Sequence, residues 1–200
     1  MGSCEPAQPT RNGTTLIEPH HGSSLTAAVS RPDYGPGMTT DDLTPDHDGR
    51  HDFDFLHGAW HSRQRRLRER LTGCEEWDEF AADLHCTPVL DGAGNFDELT
   101  SPVMGYKGLA LRLYDETDKT WSIYWVTGGA GGVEPPVVGR FADGVGDFFC
   151  PDSHQGTPVL VRYRWSDVTA TSARWEQAFS TDDGATWETN WTADFTRASR

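Results

Sequence analysis

Between residues 109 and 195 apolar and polar side chains alternate with a period of two, the spacing of strands that have one buried face. "LALRLY" sets Leu109, Leu111 and Leu113 against Ala110, Arg112 and Tyr114, and "WSIYW" groups Trp121, Ile123 and Trp125. "VLVRYRW" aligns Val159, Val161, Tyr163 and Trp165, while "RWEQAF" aligns Trp175, Gln177 and Phe179. "WETNWTADF" aligns Trp187, Thr189, Trp191, Ala193 and Phe195. Further strands are expected at 60–71, 77–88, 95–101, 136–141 and 145–150, joined by turn sequences such as "DETDK", "ADG" and "STDDGAT". Only "DFDFLHG" suits a helical turn, with Asp52 as its N-cap. With no long helix to cover a sheet, the apolar faces must cover one another. The predicted fold is all-β: a closed antiparallel barrel of about 8–10 strands, which removes exposed sheet edges.

Composition sets the boundary of that barrel. All eight tryptophans and all nine phenylalanines lie between Phe53 and Phe195, whereas the first fifty residues are rich in Pro, Gly, Ser, Thr and Asp. A segment so poor in apolar bulk cannot offset its ordering entropy. Residues 1–50 are therefore expected to be a disordered N-terminal tail and 51–200 the barrel domain.

A formal net charge of −14 argues against nucleic acid and anionic membrane as partners, since both need clustered Lys and Arg. No apolar stretch has the length of a membrane span, and "MGSCEPAQPTRNGTT" lacks the apolar core of a secretory signal. Cys4, Cys74, Cys86 and Cys150 have no zinc-like spacing and read as reduced thiols of a cytoplasmic protein. Asn12 and Asn190 head N-x-T sequons that would then go unused. "STDDGATW" fits the Asp-box pattern of sialidase-type propellers, but about 150 residues are too few for four blades. It is expected to be a hairpin turn.

"HGAW", after the short helical turn and at the start of the first strand, resembles the Gly-x-Trp signature of the lipocalin and fatty-acid-binding superfamily, the calycins. The resemblance implies that Trp60 plugs one end of the barrel, with Arg197 of "DFTR" lying across the indole and Gly58 allowing a close passage of the chain. "HDFDFLHGAW", "RRLRERL", "LRLYDETDKTWSIYW", "PPVVGRF" and "SARWEQAFSTDDGATWETNW" together resemble a bacterial family of lipocalin-like proteins of unknown function, of the DUF1579 type. That likeness implies architecture and brings no activity. Some barrels of calycin shape hold haem through a late histidine. This sequence has none after His154, so neither haem nor another cofactor is expected.

If the apolar faces turn inward, Trp125, Tyr163, Trp175, Trp191, Leu111 and Ile123 line the interior. They either fill it or wall a pocket for one small ligand. Gln177 and Thr189 interrupt that face; they pair with each other, or bind a ligand or water. Counting alternately from Trp60 puts Ser62, Gln64, Arg66, Arg68 and Arg70 on the same side. An inward Arg66 wants a carboxylate, from Glu98 or an acidic ligand; alternatively these arginines turn outward to Asp78 and Glu79. His57 and His61 do not share a strand face, so no metal site is expected.

The candidate ligand-binding residues are thus Arg66, Glu98, Trp125, Tyr163, Trp175, Gln177 and Trp191. Three functions fit. The first is a cytoplasmic barrel that binds a small, largely hydrophobic molecule. The second is a cofactor-independent enzyme of cyclase or isomerase type that uses the same cavity through proximity and water exclusion. The third is a filled barrel that binds another protein. A homodimer is compatible with all three.

Overall fold

The structure, a computed structural model, describes residues 48–102, 105–129 and 131–199. The expected tail falls outside the described residues except at its last positions, and these touch the barrel. The Tyr114 hydroxyl and the Trp121 indole N–H donate to the carbonyls of Asp48 and Gly49, and Arg50 pairs with Glu116 at 2.6 Å.

Ten strands follow in order. They are β1 (Gly58–Leu67), β2 (Trp77–Val89), β3 (Gly94–Ser101), β4 (Tyr106–Asp115), β5 (Thr120–Thr127), β6 (Val137–Ala142), β7 (Val145–His154), β8 (Thr157–Ser166), β9 (Ser172–Ser180) and β10 (Glu188–Arg197). Each pairs antiparallel with the next, and β1 pairs with β10 from Trp60↔Arg197 to Arg66↔Trp191, which closes the barrel. Among the described residues no helix is long and apolar enough to cross a membrane.

The helical turn is a 3₁₀ segment, Asp54–Leu56. Its N-cap is Phe53 rather than Asp52, and no side chain caps it. It carries Phe53 and Leu56, both fully buried, into one end of the barrel.

The inward faces follow the alternation in β5, β8 and β9, but two strands depart from it. In β4 the leucines face out, half-buried, while Ala110, Arg112 and Tyr114 are buried inside. Leu111 therefore does not line the interior. The cause lies in the neighbouring strand: Ala110 is the register partner of inward Trp125, whose indole needs small residues beside it. A Cβ on Gly108 would stand 2.1 Å from that ring, so the small residues of β4 must share its inward face.

In β10 the register with β9 shifts between Thr189 and Trp191. This irregularity buries Asn190 completely and turns Trp187 to the outer wall, where it packs on Phe149 and lies under Arg162. Thr189 is not the partner of Gln177. Asn190 is: it accepts from the Gln177 amide at 3.0 Å. The sequon at Asn190 is thus buried in the wall. The Asp-box-like stretch is the β9–β10 turn, closed by Ser180, Asp182 and Thr186.

Candidate functional site

One end of the barrel is sealed. Trp60 is 1% exposed and its indole N–H donates to the Leu56 carbonyl at 2.8 Å. The Arg197 guanidinium lies 4.2 Å from the centre of the Trp60 ring and donates to the carbonyls of Phe55, His57 and Ala170. Gly58, at φ +100°, has the backbone that lets the chain pass there, since L side chains rarely adopt it. Above the plug, Phe53, Trp121, Phe148 and Trp165 pack ring against ring.

The other end is open onto a cavity of about 390 Å³ that runs down the barrel axis. Its wall is aromatic. Tyr163 and Trp175 meet edge to face at 5.0 Å, and Trp175 meets Trp191 at 5.8 Å. Trp125 lines the wall beside Gly108 and Ala110 of the adjacent strand. Trp191 is held from β1: its N–H donates to Gln64 at 2.7 Å, Gln64 donates to Ser62, and Ser62 donates to the Ala82 carbonyl. That chain fixes one wall of the cavity through side chains that are themselves buried.

The floor is polar, and sequence reasoning missed it. Arg112 and Asp97 form an ion pair with side chains 4% and 1% exposed. Arg112 also donates to Asn95 at 3.1 Å and lies over the rings of Phe53 and Trp165. Burial pushes the Asp97 carboxyl above the usual carboxylate range, with the adjoining guanidinium opposing that shift. The available signal was the alternation Asn95, Asp97, Leu99 in β3, which puts Asp97 and Glu98 on opposite faces.

Glu98 accordingly does not reach the cavity. It faces outward, exposed, and pairs with Lys107 at 3.2 Å. Arg66 does line the cavity, over the Trp191 ring at 5.4 Å. Beyond it the alternation lapses, because β1 ends at Leu67: Arg68 turns out to Asp78 and Glu76. Arg70 returns to the mouth over Phe179. Trp125, Tyr163, Trp175, Gln177 and Trp191 all line the cavity, so six of the seven candidates come together there.

The mouth is charged. Burial and the Asp152 carboxylate raise Glu134, whereas burial and then Arg70 lower His154. Away from the cavity, His61 binds Asp83 at 2.6 Å and His57 lies 3.8 Å from Asp54. Burial pushes the Cys86 and Cys150 thiols up to about 12 and about 11, which keeps them protonated and poorly nucleophilic at neutral pH.

No family model matches this chain, and no curated protein matches it, so the likeness of its sequence blocks to DUF1579-type proteins has no support from either. Among solved structures it is similar to a redesigned β-barrel, b11L5F_LGL, at 12% identity and a TM-score of 0.41, over 75% of this chain and 96% of that one. It is also similar to EF1p2_mFAP2b bound to DFHBI, at 10% identity and a TM-score of 0.41, over 75% of this chain and 99% of that one. At that TM-score neither likeness bears on what this chain binds.

Proposed function

We propose that the barrel binds one small, largely hydrophobic molecule in its axial cavity. The observation that carries the reading is the cavity itself, about 390 Å³, open at one end and walled by Trp125, Tyr163, Trp175 and Trp191. That volume is within the range of small-molecule sites, and aromatic walls favour flat apolar ligands. Membership of the calycin superfamily belongs to the same proposal and rests on the Trp60 plug with Arg197 across it. So does a cytoplasmic setting, in which free thiols such as Cys86 and Cys150 persist. The test is native mass spectrometry of gently purified protein, with identification of any molecule released on denaturation. A reproducible ligand-free mass, together with no retention of any of a panel of aromatic compounds in equilibrium dialysis, would overturn the reading.

A second reading, catalysis of cyclase or isomerase type in the same cavity, is favoured by Asp97. A buried carboxyl with a raised pKa beside an enclosed space is the usual makings of a general acid or base. Its test is to return the released molecule to fresh protein and follow it by chromatography. A mass-neutral conversion that Asp97→Asn abolishes supports catalysis; recovery of the molecule unchanged supports binding alone.

A further inference from the structure

Most arginines of the first strand and its end turn outward and meet acids. Arg63 and Arg65 reach Glu79, and Arg68 reaches Glu76 and Asp78. Arg66 turns inward, half-buried, and borders the open cavity. Among the described residues no carboxylate pairs with it, and its cross-strand neighbour Asp78 is engaged by Arg68 at 2.7 Å. Its contact is a platform: the guanidinium lies over the Trp191 ring at 5.4 Å. Gln64, one inward step below on β1, accepts from the Trp191 N–H and fixes that ring. In a chain of 31 acidic and 17 basic side chains, an inward arginine without an acid points to an anion from outside the chain.

The other charges of the lining decide what kind of anion. In the floor Arg112 is balanced by Asp97. Glu134, on the β5–β6 connection, and Asp152, on β7, stand on the far side of the ring of strands from β1. Arg70 lies over Phe179, and its charge acts on Glu134 and His154. A carboxylate held on the β1 side therefore keeps away from both acids, whereas a dianion would bring a second negative charge to a mouth that already holds two. A cationic head finds less to hold it: Glu134 is offset by Arg70, and Asp152 is exposed to water.

We infer that the ligand is a flat aromatic or conjugated monocarboxylic acid, its carboxylate on the Arg66 guanidinium and its ring system among Trp125, Tyr163 and Trp175. The planar fork of N–H groups matches a planar carboxylate with two parallel hydrogen bonds. Because Trp191 already supports the guanidinium, little ordering is left for the ligand to impose. This inference rests on the cavity reading above.

Three probes of similar shape test it: 2-naphthoate, 2-acetylnaphthalene and 2-(aminomethyl)naphthalene, each measured by equilibrium dialysis against the full chain at pH 7. The acid should bind about tenfold or more tighter than the neutral ketone, the difference expected of a charge-assisted pair. The net charge of −14 works against that order, so a preference for the acid has to come from a local cation. Arg66→Met should remove the preference and leave the ketone bound as before. Arg68→Met deletes the same charge on the outer face and should leave the preference intact. An acid bound no tighter than the ketone, tightest binding of the amine, or an equal loss in both variants overturns this inference and leaves the cavity reading standing. Retention of none of the probes overturns both. Should Arg66→Met fail to fold, the native series and Arg66→Lys, which keeps the charge without the fork and should retain part of the preference, decide.

Discussion

Arg197, at the end of the last strand, spreads its guanidinium across the face of Trp60, at the start of the first, with 4.2 Å from the charged carbon to the ring centre. The contact joins the two strands whose pairing closes the barrel, and the same side chain satisfies three carbonyls beneath the plug. Trp60→Ala should cost about 3–5 kcal/mol, the usual loss for a large aromatic in a closed core. Arg197→Ala should cost about 1.5–3 kcal/mol, since it leaves those carbonyls without their charged donor. Urea unfolding followed by tryptophan fluorescence measures both; an unchanged midpoint for Trp60→Ala would contradict the plug.

The ion pair in the floor should behave asymmetrically. Asp97→Leu alone or Arg112→Met alone strands a buried charge and should cost about 3–5 kcal/mol. The two together should recover most of that loss, because an apolar pair of similar volume avoids the desolvation penalty altogether. A double-mutant cycle in thermal unfolding reads the difference, and strict additivity of the two losses would contradict the pairing.

Gln177 donates to Asn190, which is fully buried at the irregularity of β10. Gln177→Leu removes that donor and leaves the Asn190 carbonyl oxygen unpaired, so it should cost about 1–3 kcal/mol of stability. Chemical denaturation of the single variant and of Gln177→Leu with Asn190→Leu checks it, the second being the more stable of the two.

Gly108→Ala should push the Trp125 indole toward the cavity, because the added Cβ would stand 2.1 Å from the ring. Overpacking of this kind costs about 1–3 kcal/mol and here should also weaken retention of aromatic compounds by the cavity. Dialysis and a shifted tryptophan emission are the readouts.

Asp182 in the β9–β10 turn accepts from the Thr186 hydroxyl and amide and from Ser180, which together hold its carboxyl down at about 2 against an ordinary 3.8. The folded form thus keeps its charge more easily than the unfolded one. The resulting stability is complete above pH 3.8 and disappears as pH falls toward 2. Asp182→Ala should lower the unfolding midpoint at pH 7 and converge with the native protein near pH 2. A gap that persisted undiminished in acid would assign the loss to something other than that charge.

The strands and the closed barrel were legible because period two states which residues share a face, and the aromatic content states that one face is enclosed. Which face turns inward was legible where it alone carried the aromatic bulk, as in Trp175, Gln177 and Phe179. It was not legible in β4, where three leucines look more buriable than Gly108, Ala110 and Arg112. There the decision belongs to Trp125 on the next strand, a relation between strands that alternation within one strand does not contain. The shift at Asn190 escaped for a similar reason, since one extra residue reverses parity without changing composition. Asp97 was overlooked in favour of Glu98 because a one-residue choice between two carboxylates depends wholly on register.

Because β1 and β10 are partners, the cylinder joins the earliest and latest of its staves. During synthesis the outer backbone groups of β1 must wait through the making of eight further strands before their mate emerges, and until then β1 and β9 are both raw edges. Truncation within β10 should therefore turn a self-contained ring into an open ribbon prone to stick to its own kind.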